Sequence, residues 1–496
     1  LKRPKQILAG TLLIFRLALG VFYILPGEFV PSQDQSLILI RLQTAVGSDL
    51  GETDKLLQQA ESFIRSQPEV KTLFVFLGGG GGGGVNGGNM FVTLVPPKDR
   101  KASQAEFSAL LRKNLNAMPG IRAVIQDLSQ AGFTAQRGFP VEFSVRGSDW
   151  DQLINISQDI MNKLASSGLV VDLDTDYKLG MPELRVEPDR KRVSDIGVSI
   201  DDVATTLNSL VGGVRIGKYS TGGRRVDVRL KLLASQRSKP EDISRLKVRS
   251  RNGELVPLSS LVTTKEQPAL QAITRRDRER AITIYANVAP GHSQDEALKY
   301  VEELSSNLPV GYRTVLSGAS VAFRESIQSL LFALILGILV AYMVLASQFN
   351  SYLDPVTVLT ILPLSIAGAS FALLLGNQSL NIFSMIGLLL LMGIVKKNSI
   401  ILVDYANLFR SQGLTPREAM EKAGPIRLRP ILMTALATLM AALPPALGLG
   451  SGAEIRRPMA IALIGGLVLS TVLSLIVVPC FYIVADRLRK KREKAL

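Results

Sequence analysis

The chain has 496 residues, of which 47% are hydrophobic, and its 57 Lys and Arg against 42 Asp and Glu give a net charge of +15. This apolar content excludes an ordinary soluble enzyme, while long charged regions predict an aqueous domain beside membrane spans. The basic residues are dispersed or flank apolar segments, which argues against nucleic-acid binding. Because there is one cysteine, Cys480, and one histidine, His292, we expect no disulfide framework, no transition-metal site and no cofactor.

Six apolar segments predict membrane spans. The first covers residues 7–25, contains Arg16 and is closed by Pro26 and Gly27. The other five cover residues 327–346, 356–375, 382–406, 431–449 and 459–484. Six spans put both termini on one side of the membrane. Basic residues at the N-terminus, between the fourth and fifth spans and in the tail predict that this side is cytoplasmic and that the large domain lies on the opposite face.

Residues 28–320 alternate between apolar strands and amphipathic helices. The pattern predicts βαββαβ over residues 28–139 and a similar unit from residue 140 onward. Residues 201–211 have helical spacing, residues 219–230 predict a hairpin with a Gly-Gly turn, and further strands are predicted over 247–258 and 281–288. The repeat predicts α/β sandwich subdomains with helices on one face of each sheet.

The span at residues 382–406 contains buried charge. Its apolar part, residues 382–395, is about 21 Å long as a helix, too short for a hydrocarbon core of roughly 30 Å. The helix is therefore predicted to continue to Ala406, with Lys396, Lys397 and Asn398 near its middle. A lysine there costs about 2.5 to 3.5 kcal/mol on insertion scales, and such residues usually mark an ion or proton path. The alternative is that both lysines extend to a headgroup layer.

Two motifs point to a known family. Lys397-Asn398 lies inside one span, and Arg427-Leu-Arg-Pro-Ile-Leu-Met-Thr434 opens the next. In this arrangement of one span plus five, the chain resembles the C-terminal half of a resistance-nodulation-division (hydrophobe/amphiphile) multidrug efflux pump over essentially its whole length. The resemblance implies that the protein is not an enzyme but a secondary active transporter. The implied fold is a membrane α-helical bundle that forms half of a pseudo-duplicated antiporter with twelve spans. Such an antiporter exchanges protons for amphiphilic drugs.

The resemblance also implies surroundings and partners. It places the protein in the bacterial inner membrane as a homotrimer with a large periplasmic domain, working with a periplasmic adaptor protein and an outer-membrane channel. The implied regions are a first transmembrane helix (1–27), a porter subdomain (28–139), a second porter subdomain (140–184 and 269–320), a docking-like subdomain (185–268), a five-helix bundle (321–486) and a basic cytoplasmic tail (487–496).

The resemblance implies a proton relay made of Lys397, Asn398, Arg427 and Thr434, which answers an Asp-Asp pair in the other half. No such pair lies in any predicted span of this chain. Asp404 follows Lys397 by seven residues, roughly 10 Å along a helix, and is too far for direct pairing. We therefore expect a fragment whose missing N-terminal half carries the aspartates.

A glycine run lies where the family has a switch loop beside its drug pocket. The implied loop and pocket residues are Phe74, Phe76, Gly78, Gly81, Gly84 and Phe91. Consecutive glycines have little conformational preference, so a plain flexible connector is the alternative. Phe74 and Phe76 alternate to one face of a strand, and that face is either core or pocket lining.

Two other functions stay open. A metal-ion exporter of the same superfamily would need soft ligands, and the aqueous domain offers only dispersed methionines, namely Met90, Met118, Met161 and Met181. A protein-secretion accessory factor shares a six-span layout with a large first loop. That class would lack the long match from Arg427 to Thr434.

Overall fold

The computed structural model describes residues 3–78, 84–128, 138–270, 273–448 and 452–493, without the side chains of Leu179, Met181, Leu270 and residues 487–493. The chain divides into two compact units. One contains residues 1–176 and 273–496, and the other contains residues 177–272.

The first α/β subdomain follows an apolar helix, α1 (Pro4–Ile24). Its elements are β1 (Leu37–Gln43), α2 (Leu50–Arg65), β2 (Val70–Leu77), β3 (Gly87–Leu94), α3 (Gln104–Leu115) and β4 (Arg122–Asp127). The strands form an antiparallel sheet in the order β2-β3-β1-β4. Alternate residues of β1, such as Ile38 and Ile40, pack against Leu57 of α2 and Phe107 of α3. Both helices therefore cover the same face of the sheet.

The second α/β subdomain begins with β5 (Val141–Gly147), α4 (Trp150–Ser167) and β6 (Val170–Thr175). Asp149 caps α4 by accepting a hydrogen bond from the Gln152 amide, and Gly168 ends it with a φ of 71°. Every residue of β5 is buried. This strand is therefore the centre of the second sheet.

The compact unit of residues 177–272 follows. Its elements are β7 (Leu179–Pro188), α5 (Arg190–Asp195), α6 (Ile200–Leu207), β8 (Val214–Thr221), β9 (Arg224–Leu230), α7 (Pro240–Ser244), β10 (Lys247–Arg249), β11 (Leu255–Pro257) and β12 (Val262–Leu270). The predicted hairpin is present as β8 and β9, which turn at Gly222 and Gly223. The helix predicted over residues 201–211 is present as α6, which continues directly into a π-helical segment, Asn208–Gly213. The strand predicted over 247–258 is the short pair β10 and β11.

The chain then completes the second subdomain with β13 (Arg275–Arg276), β14 (Glu279–Val288), α8 (Gln294–Ser306) and β15 (Arg313–Leu316). β14 pairs with β5, β6 and β13, and β15 pairs with the other edge of β5. Two segments far apart in the sequence thus share one sheet.

Five further helical spans follow: α9 (Gly318–Phe349), α10 with α11 (Asp354–Leu359 and Ile361–Leu375), α12 (Ile382–Ser411), α13 (Pro416–Leu447) and α14 (Ala453–Glu493). With α1, the described residues contain six helices long and apolar enough to cross a membrane, as the sequence predicted.

The start of α13 differs from the prediction. The sequence placed it near residue 431 with Arg427 opening the helix, but α13 begins at Pro416 and contains Arg427 in its interior. A capping box of Thr415 with Glu418 starts the helix early, and Pro425 and Pro430 are tolerated inside it.

Small residues let α14 approach its neighbours closely. A Cβ added to Gly465 would lie 2.6 Å from the Gly368 carbonyl oxygen of α11. A Cβ on Gly466 would lie 2.0 Å from Leu391 Cδ2 of α12 and 2.8 Å from the Ser365 carbonyl oxygen. These contacts are typical of membrane helices that pack through small residues.

Candidate functional site

Helix α12 carries the lysines predicted to lie in the membrane. It continues without a break from Ile382 to Ser411, so the predicted extension past the lysines is confirmed. Its buried face includes Leu391, Val395, Asn398 and Leu402, which repeat at helical spacing. Lys397 lies on the exposed side of this helix, and Lys396 is half-buried.

Lys397 faces a cavity of 290 Å³ between three helices. Asn398 of α12, Thr434 and Thr438 of α13, and Leu467 of α14 share its lining. Asn398 is 7% exposed, so its amide is held inside the bundle. The structure therefore brings together three of the four residues predicted to form a relay.

The two threonines present acceptor oxygens to this cavity. Thr434 Oγ1 donates to the Ile431 carbonyl at 3.1 Å, and Thr438 Oγ1 donates to the Thr434 carbonyl at 2.8 Å. Each hydroxyl proton is thus used within α13, while the oxygen lone pairs can accept from an ammonium. The cavity is chemically suited to a cationic side chain.

Arg427, the fourth predicted residue, lies about two turns from Thr434 along α13. Its guanidinium stacks on Tyr405 of α12, with Cζ 3.5 Å from the ring centroid. Its Nε is buried and has no hydrogen-bond partner among the described residues. Tyr405 follows Lys397 by two turns, so α12 and α13 run antiparallel with two contacts at different depths.

Lys397 has no carboxylate within ion-pair distance in the part of the chain that the structure describes. Asp404 is exposed and lies about two turns along α12. A charged lysine at membrane depth needs a counter-charge, because an isolated ammonium is poorly solvated there.

A second polar group, missed by sequence reasoning, ties three helices together. Tyr482 of α14 donates to Asn407 of α12 at 2.5 Å, and Asn407 donates to Asp354 of α10 at 3.3 Å. Arg410 of α12 pairs with Asp486 of α14 at 2.7 Å. Asn407 and Arg410 are three residues apart, and Tyr482 and Asp486 are four apart, so the members of each pair share a helix face. These spacings were the signal from which the polar group could have been predicted.

The predicted pocket aromatics form a cluster on the first sheet. The ring centroids of Phe74, Phe76 and Phe91 lie 5.9 to 6.4 Å apart. Phe74 is 63% exposed, and the core lies on the opposite face, so these side chains are not core residues. Gly78 and Gly84 flank this cluster at the strand ends, and Gly81 lies outside the described residues.

A cleft of 320 Å³ separates the two α/β subdomains. Glu28, Gln104, Asp127 and His292 contribute polar groups to its lining, and Arg112 lies among them.

Beside this cleft, an ion pair joins the two subdomains. Arg112 of α3 contacts Asp172 of β6 with both Nε and Nη2, at 2.8 and 2.7 Å. The Asp172 side chain is 2% exposed and also accepts a hydrogen bond from Asn287 at 2.8 Å. This contact therefore links α3 of the first subdomain to β6 of the second beside the cleft.

No group of three or more His, Cys, Asp or Glu in the described ranges is placed to hold a metal ion. Met90 is buried in the first subdomain core, and Met118 packs against that core. These two thioethers therefore serve packing.

Among the described residues, six helices long and apolar enough to cross a membrane, with a large α/β insertion after the first, are typical of a multi-pass membrane protein. Residues 1–486 match the profile of the AcrB/AcrD/AcrF family. The chain belongs to this family of resistance-nodulation-division efflux transporters.

The fold is similar to a solved structure described as a heavy metal efflux pump, crystal form I. The TM-score is 0.87 at 21% sequence identity, and the match covers 97% of this chain and 50% of that chain. This chain thus spans half the length of that protein. At this identity the likeness establishes the shared fold.

Proposed function

We propose that the chain is the C-terminal half of a proton-driven exporter of amphiphilic compounds. The observation that carries this proposal is the placement of Lys397, which faces a membrane cavity with Asn398 and Thr434 and without a carboxylate partner among the described residues. A second half bearing an aspartate pair supplies the counter-charge.

Proton binding changes what Lys397 contacts. While the aspartates are ionised, the ammonium pairs with them across the cavity. When a proton from the periplasm neutralises them, the ammonium turns toward the oxygens of Asn398 and Thr434. The two positions of one side chain define the two states between which the bundle switches.

Arg427 acts at one end of this relay. It lies toward the start of α13, which the basic-residue distribution places on the cytoplasmic side. A fixed cation there lowers the proton affinity of nearby carboxylates. Arg427 therefore favours proton release to the cytoplasm.

The remaining assignments follow from the same proposal. Both termini of this segment are cytoplasmic, and the α/β subdomains are periplasmic and handle substrate as porter subdomains. The docking-like subdomain of residues 185–268 serves docking to an adaptor protein and an outer-membrane channel in a homotrimer. Phe74, Phe76 and Phe91 offer an apolar surface to substrate, and the glycine run between them is the switch loop.

The test compares two adjacent lysines in the intact pump at equal membrane abundance. Lys397→Ala removes the ammonium that faces the cavity, so we expect loss of proton-coupled export. Lys396→Ala is the matched control, because its side chain points about 100° away around the helix. Drug accumulation in cells measures both variants. Full export by the Lys397 variant would remove the relay from the mechanism.

The fold likeness to a heavy metal efflux pump makes metal export the second candidate. Proteoliposomes of the intact pump separate the two substrates by the proton flux that each elicits. We expect a response to an amphiphilic cationic dye and none to Cu(I) or Ag(I), because Met90 and Met118 are engaged in the core and the described residues contain no group of three or more His, Cys, Asp or Glu placed to hold a metal ion. A response to the metal ions alone would replace the drug proposal.

A further inference from the structure

The segment that connects α1 to the first subdomain is bonded directly to the start of α12. The Glu28 amide donates to the Leu380 carbonyl at 3.1 Å, and the Leu380 amide donates to the Pro26 carbonyl at 2.8 Å. The Ile382 amide donates to the Phe29 carbonyl at 3.3 Å. Residues 26–29 therefore form a short parallel pairing with the entry of the helix that carries Lys397.

Side chains extend this pairing into the first turn of α12. Ser379 Oγ donates to the Glu28 carboxylate, and Asn381 Nδ2 donates to Ser379 Oγ at 2.9 Å. Asn381 Oδ1 caps the helix by accepting from the amides of Phe383 and Ser384, each at 3.0 Å. Asn381 is 0% exposed. A continuous chain of hydrogen bonds thus connects Glu28 to the helix end.

The same segment also contacts the second α/β subdomain. The Phe29 amide donates to Gln294 Oε1 at 2.8 Å, and Gln294 Nε2 donates to the Pro140 carbonyl, just before β5, at 2.7 Å. The Asp295 amide of α8 donates to the Gly27 carbonyl at 3.0 Å. Residues 26–29 therefore contact both the entry of α12 and the second α/β subdomain, and the chain continues from them into β1 of the first subdomain.

Glu28 lies between two cavities, of 320 and 470 Å³, and lines both together with Ser32 and His292. Burial raises the pKa of the Glu28 carboxyl above its usual 4.5, and the hydrogen bond from Ser379 partly opposes this shift. The other titratable and charged groups around these cavities and this segment are Arg112, Asp127, His292, Asp295, Glu454 and Arg457.

We propose that Glu28, Ser379 and Asn381 form a coupling joint that transmits movement of α12 to both α/β subdomains, with Glu28 as a positioning residue. The inference rests on the proposed proton-driven function, in which Lys397 of α12 changes state. Asn381 is buried, Glu28 and Ser379 are half-buried, and their side chains are hydrogen-bonded to one another, so breaking the joint would leave donors and acceptors without these partners. Movement of the helix end therefore carries residues 26–29 with it.

The test measures substrate export and proton flux in the same proteoliposomes of the intact pump. Ser379→Ala cuts the chain of hydrogen bonds, so export should fall about fivefold or more, the lower range of typical coupling between sites. Proton flux under an imposed gradient should stay near the unmodified rate. Ser470→Ala is the matched control, since that buried hydroxyl donates within α14 to the Leu467 carbonyl at 3.1 Å, and both rates should be retained.

Two substitutions of Glu28 distinguish a positioning role of this residue from a purely structural role. Glu28→Gln keeps an oxygen acceptor for Ser379 and should retain export, whereas Glu28→Leu should behave like Ser379→Ala. Equal loss of export and proton flux in Ser379→Ala, or equal behaviour of the two Glu28 variants, would overturn the joint. Retained proton flux in Lys397→Ala would instead refute the relay, so the two proposals fail in different measurements.

Discussion

The ion pair between Arg112 and Asp172 offers a quantitative test of how the two α/β subdomains are held together. Replacing either residue with alanine leaves the other without its charged partner. The Asp172 side chain is 2% exposed and that of Arg112 is 25% exposed. Breaking a fully buried pair by removing one partner costs about 3 to 5 kcal/mol.

Partial exposure of Arg112 reduces this figure, because water can solvate part of the freed guanidinium. The interaction energy stays well above that of a surface pair, because both Nε and Nη2 of Arg112 contact the same carboxylate. We therefore expect a coupling of about 2 kcal/mol, between the values for buried and exposed pairs. This corresponds to about a 30-fold change in the local opening equilibrium.

The assay is a double-mutant cycle read by amide hydrogen exchange in β6 of the intact protein. It uses Arg112→Ala, Asp172→Ala and the double variant. The control cycle uses Lys163 and Asp159 of α4, an ion pair of 2.7 Å whose side chains are 52% and 60% exposed. That pair should give no more than about 0.5 kcal/mol. A coupling at Arg112 and Asp172 no larger than the control would refute the reasoning.

Two further predictions concern packing and pH. Gly466→Ala should destabilise the purified protein by about 1 to 3 kcal/mol, because its Cβ would meet Leu391 and a backbone oxygen. Thermal unfolding measures this loss. Gly10→Ala is the control and should cause no loss, because its Cβ would meet nothing within 4 Å. The raised pKa of Glu28 gives stability that is present below pH 4.5 and is lost as the pH rises through the folded-state pKa. Exchange in the first turn of α12, corrected for intrinsic rates, should therefore slow on acidification, and Glu28→Gln should remove this dependence.

The membrane helices were largely predictable because apolar length is a local property. The apolar segment before Lys396 is too short to span a membrane, and this led to the correct prediction that α12 continues past the lysines. The predicted start of α13 was wrong because apolar content, which begins only near residue 431, does not mark the polar first turns of a helix that begins at Pro416. The capping box formed by Thr415 and Glu418 was visible in the sequence and was the better signal.

The site was only partly predictable because its contacts join separate helices. The stacking of Arg427 on Tyr405 depends on how α12 and α13 pair, which no spacing within either helix specifies. Alternation at Phe74 and Phe76 established that they share a face. It could not establish which face, because that depends on where α2 and α3 pack.

The antiparallel contact between α12 and α13 restricts how these helices can move. Lys397 lies beside Thr434 at one depth, and Tyr405 lies against Arg427 about two turns away. A one-residue register shift moves α12 about 1.5 Å along its axis and brings to each contact position a neighbouring residue that points about 100° away, so both contacts are lost together. A slip that brings equivalent faces back into contact requires about 5.4 Å, a full turn. The two helices therefore tilt or shift as one hairpin, and side-chain rotation at Lys397 is the smaller movement open to the bundle.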